Sequence, residues 1–212
     1  MEDITINAER YRIAIYHMLS DALKEPGKDY EGVQQKNVDF LETAFQTLQY
    51  SIDRANYQSW PELASDVSAL KNDYRLSFIY PVEKRVLPVE SIYRQWTFDP
   101  TVEVPFAKEK GYLMSDFALH MQALYAQYNL SIPQEYDSMP DHLCLELEFC
   151  AFLLAHESKE RQAVFIKEHL SWVEELYQDA VKQDIPMFYQ QVIKVIAEFL
   201  KYEMHSNEKQ TA

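Results

Sequence analysis

Apolar side chains recur every three to four positions along most of the chain, the period of a helix packed on one face. Ala8, Tyr11, Ile15, Met18, Leu19 and Ala22 predict a first helix over about 6–23, ended by Glu25-Pro26-Gly27. Val38, Leu41, Phe45, Leu48 and Ile52 predict a second. Ser59-Trp60-Pro61-Glu62 reads as a helix start with an early proline, and Leu63, Val67, Leu70 and Tyr74 carry its stripe to about Phe78. Tyr80-Pro81 breaks the pattern, because proline lacks an N–H and restricts the residue before it. Residues 80–89 are thus expected to form an irregular crossing between two helical halves, about 4–79 and 90–205.

In the second half a short helix is expected from Glu90, and Thr97 to Pro105 reads as irregular. A long helix is expected over about 109–128, and Pro140 is expected to open another that runs to about residue 156. Leu143, Leu145, Leu147, Phe149, Phe152 and Leu153 make that helix apolar on most sides, the mark of a central, buried one. Two further helices are expected over about 159–182 and 186–202, with residues 206–212 as a polar tail. The expected fold is all-α, a multi-helix bundle in a single domain over residues 1–205.

Composition sharpens this picture. Only three glycines occur in 212 residues, which argues against a fold rich in tight β-turns. The net charge of −14 disfavours nucleic acid as a partner and would attract a basic peptide, although taken alone it reads better as a charge that keeps the protein soluble. Met1 to Thr5 lack the basic and apolar regions of a secretory signal, and no apolar run reaches the roughly 18 residues of a membrane span. A cytoplasmic protein with no membrane insertion is therefore expected. Cys144 and Cys150, six residues apart on one helix, cannot reach disulfide distance and read as free thiols in a reducing compartment.

Catalytic signatures are missing. There is no glycine-rich phosphate loop and no dinucleotide fingerprint. His156-Glu157 begins like a zinc-protease motif, but Glu160 stands where the second histidine is needed. No histidine has a glutamate three residues before it, and the cysteines do not form a Cys-x-x-Cys pair. No enzyme, metal or cofactor is expected on these grounds. Pro140-Asp141-His142, with Glu146 and Glu148 beyond, is the most distinctive polar group. It places Asp141 in a first helical turn and His142 one turn from Glu146. Such a group could receive a basic ligand, but its chemistry alone reads first as a helix start whose N–H groups Asp141 satisfies, beside a packed His142. Tyr74, Phe78, Tyr80 and Tyr93, interleaved with Arg75 and Arg85, fit either a peptide groove or an inter-helix core.

Taken in order, these segments resemble the TorD/DmsD/NarJ family of redox-enzyme maturation chaperones. The likeness is carried by Asn72-Asp73-Tyr74-Arg75-Leu76-Ser77-Phe78, by Leu87-Pro88-Val89-Glu90-Ser91-Ile92-Tyr93, and by Pro140-Asp141-His142-Leu143 with Glu146-Leu147-Glu148-Phe149. Glu168-His169-Leu170-Ser171-Trp172 and Pro186-Met187-Phe188-Tyr189 are weaker echoes. The resemblance implies a cytoplasmic, all-helical chaperone without enzymatic activity. Such chaperones bind the twin-arginine signal peptide of a molybdopterin-dependent oxidoreductase precursor, or an equivalent N-terminal segment. They delay export by the twin-arginine translocase, whose components are further possible partners, until the cofactor is inserted. A permanently bound assembly subunit is the alternative. Peptide binding is implied for Pro88, Ser91, Tyr93, Pro140, Asp141 and His142, with Tyr74, Arg75 and Glu146 in support. Asp141 would face the arginines, so Asp141→Asn is expected to weaken peptide binding while leaving helicity intact.

Overall fold

The computed structural model describes residues 2–27, 33–79 and 85–208, and side chains over 8–27, 35–79 and 85–205. Part of the expected crossing, residues 80–84, lies outside the described residues. The described chain is helical and holds no strand. Its helices are α1 (Glu2–Ala22), α2 (Val33–Leu48), α3 (Trp60–Leu63), α4 (Val67–Tyr74), α5 (Glu90–Tyr93), α6 (Asp116–Gln127), α7 (Leu143–His156), α8 (Lys159–His169), α9 (Val173–Lys182) and α10 (Met187–Glu208). No described helix is long and apolar enough to cross a membrane.

Helix α7 is the hub. Most of its residues are buried, including Leu143, Leu147, Cys150 and Leu154, as its all-round apolar pattern requires. Helix α1 lies along it, and the Ser20 hydroxyl donates to the Cys144 carbonyl oxygen at 2.9 Å. Tyr125 of α6 and Tyr128 just past its end meet Phe149 edge-on, as does Phe165 of α8. Helix α10 closes the bundle against α1, where Tyr16 meets Phe199. One apolar core joins residues on both sides of the crossing, from Ile15 and Leu41 to Ile196 and Leu200. Both cysteines are buried and free.

Several helix limits differ from those the periodicity predicts, each for a local reason. The helix expected over 60–78 is interrupted at Asp66. Its carboxylate accepts from the Ser68 and Ala69 N–H groups and starts α4 afresh. Past Tyr74 the chain widens into a π-helical turn, Arg75–Ile79. The helix expected from 109 begins only at Asp116, because Gly111 and Met114 hold positive φ (97° and 58°) and Ser115 caps α6 at its first turn. The helix expected over 159–182 splits into α8 and α9, and the Trp172 indole N–H donates to the His169 carbonyl oxygen at 2.7 Å, closing α8. The last helix runs on to Glu208, past its expected end.

The scarcity of glycine has a visible consequence. Gln49, Asn129 and Asp184 take the left-handed conformation (φ 59°, 55° and 52°) just past α2, α6 and α9, where glycine is the usual residue. Each next residue, Tyr50, Leu130 and Ile185, returns its N–H to the carbonyl five residues back, completing the terminal motif.

Candidate functional site

The two most distinctive sequence segments meet in space. Residues 88–90 and 141–143 run antiparallel as a single bridge, Val89 opposite His142. Leu143 N–H donates to the Pro88 carbonyl oxygen at 2.8 Å, and Glu90 N–H to that of Asp141 at 3.0 Å. This pairing corrects the expectation that Pro140 opens the central helix. Pro140 and Asp141 lie in a turn closed by the His142 N–H on the Met139 carbonyl oxygen at 3.0 Å, the Asp141 carbonyl is taken by Glu90, and α7 begins only at Leu143.

Asp141 therefore does not sit in a first turn of α7. Its Oδ2 accepts from the Ser91 N–H at 2.7 Å and from the Ser91 hydroxyl, so it caps α5 from across the seam. Val89, at the cap position of α5, has no side-chain acceptor of its own. The Ser91 hydroxyl also lies 2.8 Å from that of Ser115, which accepts from the Phe117 N–H at the start of α6. A buried Asp141–Ser91–Ser115 chain thus fixes the starts of α5, α6 and α7 together. Asp141 is fully enclosed and its Oδ1 has no hydrogen-bond partner among the described residues. Burial pushes its carboxyl pKa up against the opposing pull of the Ser91 bonds.

His142 turns the other way. It takes the cap position of α7, accepting from the Cys144 N–H at 3.3 Å, with Cys144 Sγ at 3.0 Å and the Tyr136 ring 4.9 Å away. Burial lowers its pKa to about 3, so the ring stays neutral through the physiological range. A folded-state pKa below the unfolded value means that only the unfolded chain takes up a proton as pH falls below about 6.5. This histidine's share of stability is present above that pH and is lost on acidification. His142→Asn keeps a capping acceptor but cannot titrate. Between pH 7 and 5 the wild type is expected to lose about 2 kcal/mol more than the variant in urea titrations. Parallel losses in the two proteins contradict the burial of a neutral imidazole.

Glu146 completes the divergence. It does not pair with His142 but lies beside Glu90, and its Oε2 accepts from the Trp172 indole N–H at 3.3 Å. Burial and the neighbouring charge of Glu90 hold its carboxyl pKa well above the usual range. Asp141, His142 and Glu146 thus commit to three different partners, Ser91, Cys144 and Trp172. The single receptor that their proximity in sequence suggests is not formed. Tyr93 stacks on Trp172 (5.2 Å) and donates to Asp179 at 3.2 Å, and it is buried, as are Ser91 and Pro140. Tyr125 donates to the Pro140 carbonyl oxygen at 3.1 Å and holds the seam from the α6 side.

Beside the seam a groove of about 600 Å³ opens to the surface. Its apolar lining includes Tyr74, Phe78, Leu87, Pro88, Tyr136 and Met139, and His142 sits in its wall. Glu25, Glu135 and Glu148 bring acid to it, with Lys24 between Glu148 and Asp21. Arg75 joins Glu25 at 2.9 Å and so braces this rim. Glu135 has no cation partner among the described residues. Of the nine residues singled out in the sequence, the groove gathers Tyr74, Pro88 and His142 at its surface.

On the other side of the seam is a polar relay that no sequence pattern shows. His169 Nδ1 lies 2.8 Å from Glu90 Oε2, and its Nε2 lies 2.9 Å from His120 Nδ1. These residues come from α5, α6 and α8, so no spacing rule could find them. The traces in sequence were Glu90 within the second family segment and the fainter echo around His169. His120, Glu168 and His169 also bring three ligand-type atoms within 4.8 Å of one another, a grouping that the sequence motifs for metal sites do not capture.

The fold and the seam define an all-helical protein whose two halves are joined through paired loops. The chain belongs to the nitrate reductase delta subunit family, whose model matches residues 29–189. It is similar in structure to a protein described as a redox enzyme maturation protein from Archaeoglobus fulgidus, with a TM-score of 0.54, 18% identity, and 92% of this chain and 93% of that one covered. At this identity the likeness carries the fold. No curated protein matches the sequence.

Proposed function

We propose that this protein is a maturation chaperone of a molybdopterin-dependent oxidoreductase and that it holds the basic N-terminal segment of the precursor, a twin-arginine signal peptide, until the cofactor is in place. The observation that carries the reading is the groove at the seam: an apolar channel with an acidic rim, on a chain of net charge −14. A twin-arginine segment offers the complementary pattern, basic residues followed by an apolar run. Pro88 and His142 meet this ligand, while Ser91, Pro140 and Asp141 set the shape of the wall. Tyr93 and Glu146 act from behind it, and Tyr74 with Arg75 support the floor and rim. The arginines are met by Glu135, whose carboxylate has no cation partner among the described residues and can offer both oxygens to a guanidinium. The protein acts in the cytoplasm, before export, and catalyses nothing itself.

Glu135→Lys is expected to weaken binding of a twin-arginine peptide about tenfold in calorimetric titration, since reversing a rim charge costs on the order of 1–2 kcal/mol. Raising the salt concentration is expected to shrink this difference. Equal affinity of the two proteins at low salt removes the arginines from this rim.

The family description, a delta subunit, favours a second reading in which the protein stays with the finished enzyme. Copurification separates the two. A chaperone retains the precursor and releases the mature oxidoreductase, whereas a subunit retains the mature form in fixed stoichiometry.

A further inference from the structure

We propose that His120, Glu168 and His169 form a binding site for a divalent transition-metal ion of the Zn²⁺ type, linking α6 to α8. Their candidate ligand atoms lie within 4.8 Å of one another. Two imidazole nitrogens and one carboxylate oxygen are the donor set such ions prefer, and three protein ligands leave a fourth position for water.

Orientation supports the assignment beyond proximity. His169 is 1% exposed, stacks on Phe165 at 5.0 Å, and meets Phe117 edge-on at 5.9 Å. Its Nδ1 donates to the buried Glu90 carboxylate at 2.8 Å, which leaves the lone pair on Nε2 directed outwards. A carboxylate behind a histidine in this way fixes the tautomer and the orientation of the ring. That nitrogen faces His120 Nδ1 at 2.9 Å. Two nitrogens on one tetrahedral Zn²⁺ stand roughly 3.3 Å apart, given bonds of about 2.0–2.1 Å. The exposed His120 ring has to retreat by only a few tenths of an ångström and carry its proton on the outer Nε2. No net proton change is needed.

The site is also accessible. His120 and Glu168 are exposed, and all three residues line a groove of about 350 Å³ whose walls include Leu124, Tyr128 and Val164. No residue lines both this groove and the peptide channel.

Calorimetric titration of tag-free protein with Zn²⁺, and the visible spectrum with Co²⁺, test the assignment. The expected result is one saturable equivalent with the strong absorption of a tetrahedral Co²⁺ site. His120→Ala is expected to lower the affinity at least tenfold and Glu168→Gln to weaken it less. His156→Ala, on an exposed histidine elsewhere, serves as the control and is expected to bind as the wild type does. Because His120 is exposed, the metal-free His120→Ala protein is expected to keep its circular dichroism spectrum. Absence of saturable binding, or binding that survives His120→Ala, overturns the site.

Discussion

Glu203→Ala is expected to destabilise the protein by about 3–5 kcal/mol, the usual cost of stripping one partner from a buried ion pair. Glu203 is fully buried on α10. It accepts from Arg12 Nε and Nη2 at 2.9 and 2.6 Å, from the Tyr50 hydroxyl at 2.6 Å and from the Tyr16 hydroxyl at 3.1 Å. One carboxylate thereby satisfies groups from α1 and the segment after α2. Arg12 stays ionised throughout, since the attraction of Glu203 outweighs the burial that opposes its charge. Alanine takes from the Arg12 guanidinium its carboxylate acceptor and removes the bonds that Tyr16 and Tyr50 make to it. Urea titration followed by circular dichroism measures the loss. The double replacement Arg12→Leu with Glu203→Leu is expected to recover much of it, because both charges then leave together. A single-variant cost below about 1 kcal/mol would mean that water reaches the carboxylate and the pair is not truly enclosed. Since α1 leads directly into Lys24 and Glu25 at the groove, the loss is also expected to loosen the rim.

Asp141→Ala is expected to cost about 2–4 kcal/mol, combining a lost helix cap with an unpaired buried N–H at Ser91. Asp141→Asn retains the acceptor to Ser91 and is expected to stay within about 1 kcal/mol of the wild type. The consequences for binding run in parallel. The alanine variant loses the seam that shapes the groove wall and binds peptide weakly. The asparagine variant keeps both. This replaces the expectation from sequence, which set the charge of Asp141 directly against the arginines. Enclosure is the physical reason: a fully buried carboxylate, committed to Ser91, has no surface to offer a ligand. A stable Asp141→Asn protein that fails to bind peptide would falsify the positioning role and restore direct contact.

The helical bundle was legible because its signal is periodic and local. The stripe of α1, the uniformly apolar α7 and the proline after Tyr80 each carry their meaning within a few residues. The site was legible only as a set of names. Pro88, Ser91, Asp141 and His142 do converge, but Asp141 and Ser91 are 50 residues apart in sequence, and periodicity is blind to such a pairing. That is why Pro140 looked like a helix start: its proline and the acidic residue beside it are the residues of an N-terminus, used here to cap another helix. The contact of Glu90 and His120 with His169 was invisible for the same reason. Each is an ordinary residue on its own helix and gains meaning only from the other two. The break between α8 and α9 depends on the indole of Trp172 reaching back one turn, a tertiary choice that the stripe from Phe165 to Ala180 does not record.

The most direct test of the account is calorimetric titration of the purified protein with the twin-arginine signal peptide of a molybdoenzyme from the same organism, alongside a peptide with both arginines replaced by glutamine. The account predicts saturable binding of the first, at least tenfold weaker binding of the second, and a loss of discrimination in Glu135→Lys. Equal binding of both peptides, or binding of neither, contradicts it.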